Sequence, residues 1–188
     1  MGFLTRILAG TRPNNADDYW YEPKASISAS GYRVSAEGAL TLSPVYACVR
    51  VLAETVASLP LHIYEMIDEE TRRKARGYPL YNVLHVRPNS WQTSFEWREM
   101  MMGHLVLRGN CYCKIIWDGN EIGELIPLHP DRVTPRLENG VLSYRYRPLS
   151  GGDEIYLQSE IMHIRGLSGD GILGYSPIQV AREVFGTA

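Results

Sequence analysis

The sequence predicts an α+β fold, a few helices packed on a mainly antiparallel sheet built from hairpins. Three observations carry this. The run 43–59 has helical spacing and changes period at Pro60 to the alternation of a strand. Thr93-Ser94-Phe95-Glu96 is a T-x-x-E capping box opening a second helix. From Cys111 onward the period is two, interrupted by Asp118-Gly119-Asn120 and by Asn139-Gly140, a pair that supplies the positive φ angles a tight hairpin turn requires.

Residues 1–40 read as an extended or flexible N-terminal arm. Gly10 to Ala39 carries Gly, Pro, Asn, Ser and Asp with little periodicity. Phe3-Leu4 and Ile7-Leu8 suffice for an amphipathic turn or two, but Arg6 and Gly10 leave nothing like the apolar core of a secretory leader. The first helix places Val45, Cys48, Val49, Leu52, Ala53, Val56 and Leu59 on one face and Arg50, Glu54 and Ser58 opposite. Ser43 is the expected N-cap, Pro44 occupies the first helical position, where a missing N–H costs nothing, and Pro60 ends the run. Leu61 and Ile63 then alternate with His62 and Tyr64 as a strand. No polar residue breaks the apolar face, so no chemistry is expected there.

Asp68-Glu69-Glu70 and Arg72 to Arg76 sit back to back before Gly77 and read as a solvated loop. The basic half looks like a phosphate-contact patch, but its acidic neighbour cancels it. Tyr78 to His85 is a short helix with Pro79 near its start, ended by Arg87-Pro88-Asn89-Ser90. The capping-box helix runs to Leu107 with Gly109 as its stop, and Met100, Met101, Met102, Leu105, Val106 and Leu107 surround its second half with apolar groups. Gly103 within it marks either a close approach of another backbone or a tolerant surface position.

Cys111 to Trp117 with Glu121 to Pro127, and Val133 to Leu137 with Val141 to Tyr146, are the two hairpins. Ser150 to Asp153 turns into two further short strands, Glu154 to Leu157 and Ile161 to Ile164. A last helix begins at Ser176-Pro177, repeating the start at residue 43.

At 188 residues a core burying roughly 70% of the unfolded surface is expected without staples. Nineteen basic and 21 acidic residues are too balanced to argue for electrostatic capture of nucleic acid or membrane. Three cysteines, without a leader, point to a reducing compartment, and no apolar run is long enough to span a bilayer. The expectation is a soluble protein, intracellular when made. Twelve tyrosines and four tryptophans suit either surfaces that become buried against partners or ordinary sheet edges.

Candidate chemistry is sparse. Gly169-Asp170-Gly171-Ile172-Leu173-Gly174 matches G-x-G-x-x-G, but the helix starts after the last glycine and only 14 residues follow, so no second strand or ribose-binding acid fits. It reads as a flexible loop joining strand to helix. Cys111 and Cys113 share one strand face, and none of the histidines at 62, 85, 104, 129 and 163 stands at metal-ligand spacing, so a structural pair is favoured over zinc. His163 reads as a strand residue with a satisfied ring nitrogen. No G-x-S-x-G elbow or paired carboxylates suggest hydrolysis. Neither cofactor nor catalytic residue is expected. A small nucleotide-binding or hydrolytic enzyme using loop 169–174, and a nucleic-acid module using Arg72 to Arg76, stand as the competing classes.

Eight short runs stand in order along the chain: Ser43 to Val49, Ala53 to Leu61, Pro79-Leu80-Tyr81 and Arg87-Pro88-Asn89, then Leu107 to Tyr112, Leu125 to Val133, His163 to Gly166 and Gly174 to Ile178. In these runs the chain resembles the N-terminal part of the portal proteins of tailed bacteriophages. The resemblance implies a structural, non-enzymatic subunit of a ring, usually of twelve copies, at one capsid vertex. Through it genomic DNA is packaged and ejected, in a virion assembled in the host cytoplasm from a phage or prophage genome. It implies capsid protein, terminase and a head-tail adaptor as partners, and no membrane. It divides the chain into the arm 1–40, a wing-like domain 41–175, and the start of a stem helix at 176–188. Because such chains are commonly about twice as long, this one is expected to be truncated, with terminase docking in the missing part. Arg50 and Glu54 on the polar flank of the first helix are the expected subunit-interface residues.

Overall fold

The computed structural model describes residues 26–27 and 33–181. Most of the expected arm, and the continuation of the last helix over 182–188, lie outside the described residues. Within the arm, strand β1 (Ser26–Ile27) pairs antiparallel with β2 (Arg33–Val34). Helix α1 (Ala36–Leu40), capped by the Ser35 hydroxyl, buries Ala39. Residues 36–40 are therefore packed where the sequence suggested an extended tail: one turn is too short for periodicity to reveal.

Helix α2 (Ser43–Ser58) runs antiparallel to α4 (Ser94–Arg108), with α3 (Pro79–His85) beside α4. Ser43 is not the cap. Leu42 occupies that position without a side-chain bond, and Ser43 lies inside the first turn with Pro44. The expected strand at 61–64 begins only at Tyr64, as β3 (Tyr64–Met66), and pairs with β4 (Arg72–Lys74). The basic run is thus partly a strand, and two of its side chains have partners: Arg73 Nε donates to Glu65 at 2.7 Å, and Lys74 Nζ lies 3.0 Å from His62 Nε2. His62 in turn stacks on Tyr81 of α3.

The capping box of α4 forms in full, with the Glu96 amide donating to the Thr93 hydroxyl and the Thr93 amide to the Glu96 carboxylate. The helix ends on Gly109 at φ 73°. Gly103 has nothing within 4 Å of where a Cβ would stand, so it is the tolerant surface position.

Strands β5 (Asn110–Asp118) and β6 (Glu121–Leu128) form the first predicted hairpin, with β10 (Ile161–Arg165) on the other edge of β5. The second sheet is β7 (Val133–Glu138), β8 (Val141–Tyr146) and β9 (Glu154–Leu157), again antiparallel throughout. Its turn has Asn139 at φ 52° and Gly140 at φ 79°, as the Asn-Gly signal requires. The first four residues of β5 are buried on both faces because period two sends their side chains to two cores. Cys111 and Cys113 join Trp97, Met101, Val83 and Leu125 under the helices. Tyr112 joins Tyr144, Tyr156, Val133, Leu128 and Ile161 between the sheets.

Arg87-Pro88-Asn89 locks α3 to β6. Asn89 is 2% exposed, donates to Gln92 and the Leu125 carbonyl, and accepts from the amides of Trp91 and Gln92, while the Leu125 amide donates to the Pro88 carbonyl at 2.7 Å. A third cluster gathers Ala39, Leu107 and Ile178, the last from α5 (Pro177–Val180). Among the described residues no helix is long and apolar enough to cross a membrane.

Candidate functional site

The densest polar constellation lies where α4 passes into β5 and the segment 166–176 crosses it on the way to α5. Gly109 turns the chain in the left-handed region. Asn110, 7% exposed, then clamps the crossing segment: its Oδ1 accepts from the Gly174 amide at 2.8 Å, and its Nδ2 donates to the Gly174 carbonyl at 2.8 Å and the Arg108 carbonyl at 3.1 Å. A side-chain amide thereby takes the place of a neighbouring strand. The Gly166 amide donates to the Gly109 carbonyl at 2.8 Å, and the Ser176 hydroxyl donates to the Leu107 carbonyl at 2.9 Å while capping α5 through the Gln179 amide. A Cβ on Gly174 would stand 2.1 Å from the Gly109 carbonyl oxygen, and one on Gly109 2.1 Å from that of Tyr175. The two backbones touch, and only glycine fits.

His163 completes the junction from β10. Its ring stacks on Tyr112 with centroids 4.3 Å apart, Nε2 lies 3.0 Å from Asn110 Oδ1, and Nδ1 lies 3.4 Å from the Tyr144 hydroxyl. Since Asn110 Oδ1 can only accept, Nε2 carries the proton and Nδ1 accepts from Tyr144. Burial, reinforced by Arg165, holds the imidazole down to about 4. His104 is likewise held to about 4 by burial, and its Nδ1 has no hydrogen-bond partner among the described residues.

Both rings are neutral in the fold but near 6.5 when unfolded, so their stabilisation is complete above about pH 6.5 and is lost as pH falls towards 4. Denaturant titrations should show stability falling by about 2 kcal/mol per ring over that window, after allowing for residual solvent screening. His163→Gln should remove about half of the slope; a flat profile from 6.5 to 4 would contradict the assignment.

The other candidates resolve differently. In the glycine loop, Asp170 Oδ1 accepts from the amides of Ile172 at 2.7 Å and Leu173 at 2.9 Å, and Ser168 takes the Gly171 amide. Partial burial would lift the Asp170 carboxyl, but those amides and the Ser168 hydroxyl outweigh it and hold the group below its usual range. A phosphate would find the amides it needs already satisfied by a carboxylate. Burial pushes the Cys111 and Cys113 thiols up to about 12, the reverse of what a thiolate ligand requires.

Glu37, His129 and Asp131 converge closely enough to hold a cation, but Arg108 occupies the convergence. Its Nε donates to both Asp131 oxygens at 2.9 and 3.0 Å, and its terminal nitrogen pairs with Glu37. Arg50 and Glu54 lie together on the outer face of α2 as an i,i+4 pair at 2.6 Å, far from the junction along the chain. Sequence reasoning missed Asn110 as a site residue. The signal was present in Gly109-Asn110 and Gly174-Tyr175-Ser176-Pro177, which lie 64 positions apart and meet only in the fold.

A family model described as phage portal protein matches residues 43–188. The portal protein of Enterobacteria phage HK97 is 32% identical over 170 residues, covering 86% of this chain and 39% of that protein. Protein BeeE of Escherichia coli (strain K12) is 35% identical over 101 residues, 54% of this chain and 64% of that protein. In fold, the chain is similar to one in the neck of an empty GTA particle, with a TM-score of 0.68 and 24% identity over 80% of this chain and 41% of that one. The chain thus spans about two fifths of the HK97 portal protein.

Proposed function

The chain belongs to the phage portal protein family, and from that premise we propose that it forms the outer, wing-like part of a portal subunit, whose ring at one capsid vertex conducts genomic DNA during packaging and ejection. The family match over 43–188 carries the reading. It is supported by a polar junction whose groups are spent on holding backbone to backbone, which suits a rigid, non-catalytic wedge. The proposed domain division is 1–40 as arm, whose end at 36–40 packs on the wing as α1, 41–175 as wing and 176–188 as the start of the stem helix. In a protein of the relatives' length, twelve copies would close the ring by a head-to-tail contact that succeeds only if the rotation per subunit is right. Capsid protein, terminase, a head-tail adaptor and the passing DNA are the proposed partners, in a virion assembled in the host cytoplasm.

Arg50 and Glu54 remain the proposed neighbour contact. Their side chains are 58% and 42% exposed, so solvent screens their mutual pairing and it is easily redirected across an interface. Light scattering and electron microscopy of a protein of the relatives' length should find a large ring, and a monomeric mass would sink the reading. Exchanging the two charges, Arg50→Glu with Glu54→Arg, keeps the helical pair and should still cut ring yield about fivefold or more. An unchanged yield would remove these two residues from the interface while leaving the ring intact.

A further inference from the structure

Two open clefts meet at Tyr78. One, of about 440 Å³, follows the base of the β3–β4 ribbon past Arg73, Lys74, Arg76 and Gly77, with Glu65 beside them. The other, of about 320 Å³, runs past Pro79 and Leu80 to Trp117 and Glu121. Tyr78 lines both, so cations and aromatic rings share one continuous surface. Tyr78 and Trp117 are 56% and 49% exposed. Between cation and ring, Gly77 has nothing within 4 Å of where a Cβ would stand, which leaves the passage from one cleft to the other unobstructed.

In the sequence the basic run abuts Asp68-Glu69-Glu70, but the ribbon separates the two. The register Tyr64↔Lys74 and Met66↔Arg72 puts the acids at the tip, where Asp68 accepts from the amides of Glu70 and Thr71. Lys74 and Arg76 lie at the base. Three residues of strand set base from tip by about 10 Å, more than the roughly 8 Å screening length at physiological salt. Glu65 is committed to Arg73, and Lys74 and Arg76 pair with no carboxylate among the described residues. Their field is felt at His62, whose imidazole is held below its ordinary value by desolvation first and then by Lys74, His85 and Arg76.

Unpaired cations beside exposed rings match a ligand that carries phosphate and planar bases in alternation. An acidic peptide offers the charge alone, and a duplex keeps its base faces stacked inside. Glu121 disfavours phosphate in the aromatic cleft, which gives the surface a polarity: phosphate towards Arg76, base towards Trp117.

We propose that this surface binds single-stranded nucleic acid, with Lys74 and Arg76 on phosphates and Tyr78 and Trp117 under bases. The inference goes beyond the portal reading and does not rest on it.

A labelled oligodeoxythymidylate of about ten nucleotides, titrated with the 188-residue chain and followed by fluorescence anisotropy, reads the binding directly. Two phosphate contacts predict an affinity that falls about fivefold between roughly 50 and roughly 150 mM salt. Arg76→Glu should weaken binding about tenfold or more, with Arg76→Lys close to the parent. Trp117→Ala should weaken it about fivefold or more and Trp117→Phe little, because stacking needs a flat ring. Arg136→Glu, the same charge change on β7 of the second sheet, is the control and should leave affinity within about twofold. A duplex of the same length should bind about tenfold or more weakly. Arg76 is an exposed side chain, so its reversal decides even if Trp117→Ala fails to fold.

Absence of binding at the lower salt would overturn the proposal, as would equal losses from Arg76→Glu and Arg136→Glu. Equal binding of the duplex, or displacement by polyglutamate at matched charge, would also overturn it, because either result reduces the surface to charge alone.

Discussion

Gly174→Ala is expected to lower the unfolding free energy by about 3 kcal/mol or more, a large share of what a domain of this size possesses. The added Cβ would sit 2.1 Å from the Gly109 carbonyl oxygen and 2.9 Å from the Gly166 amide nitrogen. Both are backbone atoms, and neither can turn aside as a side-chain tip would. Relief requires the crossing segment to lift off β5, which breaks the Asn110 clamp and unseats Ile178. Gly109→Ala should cost at least as much, because a positive φ adds to the clash.

Gly140→Ala is the control: its φ of 79° is similar, but nothing lies within 4 Å, so it should cost only about 1 kcal/mol. Denaturant midpoints for the three variants separate the two contributions. Equal losses at 109 and 140, or a loss at 174 below about 0.5 kcal/mol, would mean that the backbones do not meet as described.

Asn110→Asp is expected to cost about 3 kcal/mol although it changes a single atom. The Oδ1 that accepts from Gly174 and His163 is retained, but the Nδ2 donor is replaced by an oxygen facing the carbonyls of Gly174 and Arg108. Two half-buried acceptors lose their donor and meet a negative charge. The same carboxylate beside His163 favours the imidazolium, so the ring held down to about 4 in the parent should titrate markedly higher. Following the His163 ring protons by NMR against pH checks this second effect independently of stability. A stable variant with His163 unmoved would show that Asn110 is not the clamp.

These effects fall on residues that carried the family likeness, which explains why the likeness was legible before its reason was. Gly109-Asn110, His163 to Gly166 and Gly174 to Ile178 are separate short runs in the sequence. Nothing about Asn110 alone distinguishes it from a turn residue, because its partners are backbone atoms 64 positions away. The expectation for His163, a strand residue with a satisfied ring nitrogen, matches its bonds to Asn110 and Tyr144. The glycine loop reads as flexible in the sequence, yet Asp170 organises its tip through two of its own amides. Only the glycines carry the motif, and a single carboxylate among them gives no sequence signal of that role.

What the sequence by itself determined is local. The Thr93 capping box, the Asn139-Gly140 hairpin, the β5–β6 pair and the starts of α3 and α5 all depend on interactions within a few residues, so short-range chemistry suffices to place them. What only the tertiary structure decided is which surfaces meet. The face of α2 appeared as one apolar stripe, and its packing against α4 divided it into a covered half and a bare half. Likewise the contact of Gly109 with Gly174 depends on a chain crossing. Hydrophobic pattern states that a face will be buried, whereas the partner is chosen by the geometry of elements distant in sequence, and that choice leaves no periodic trace.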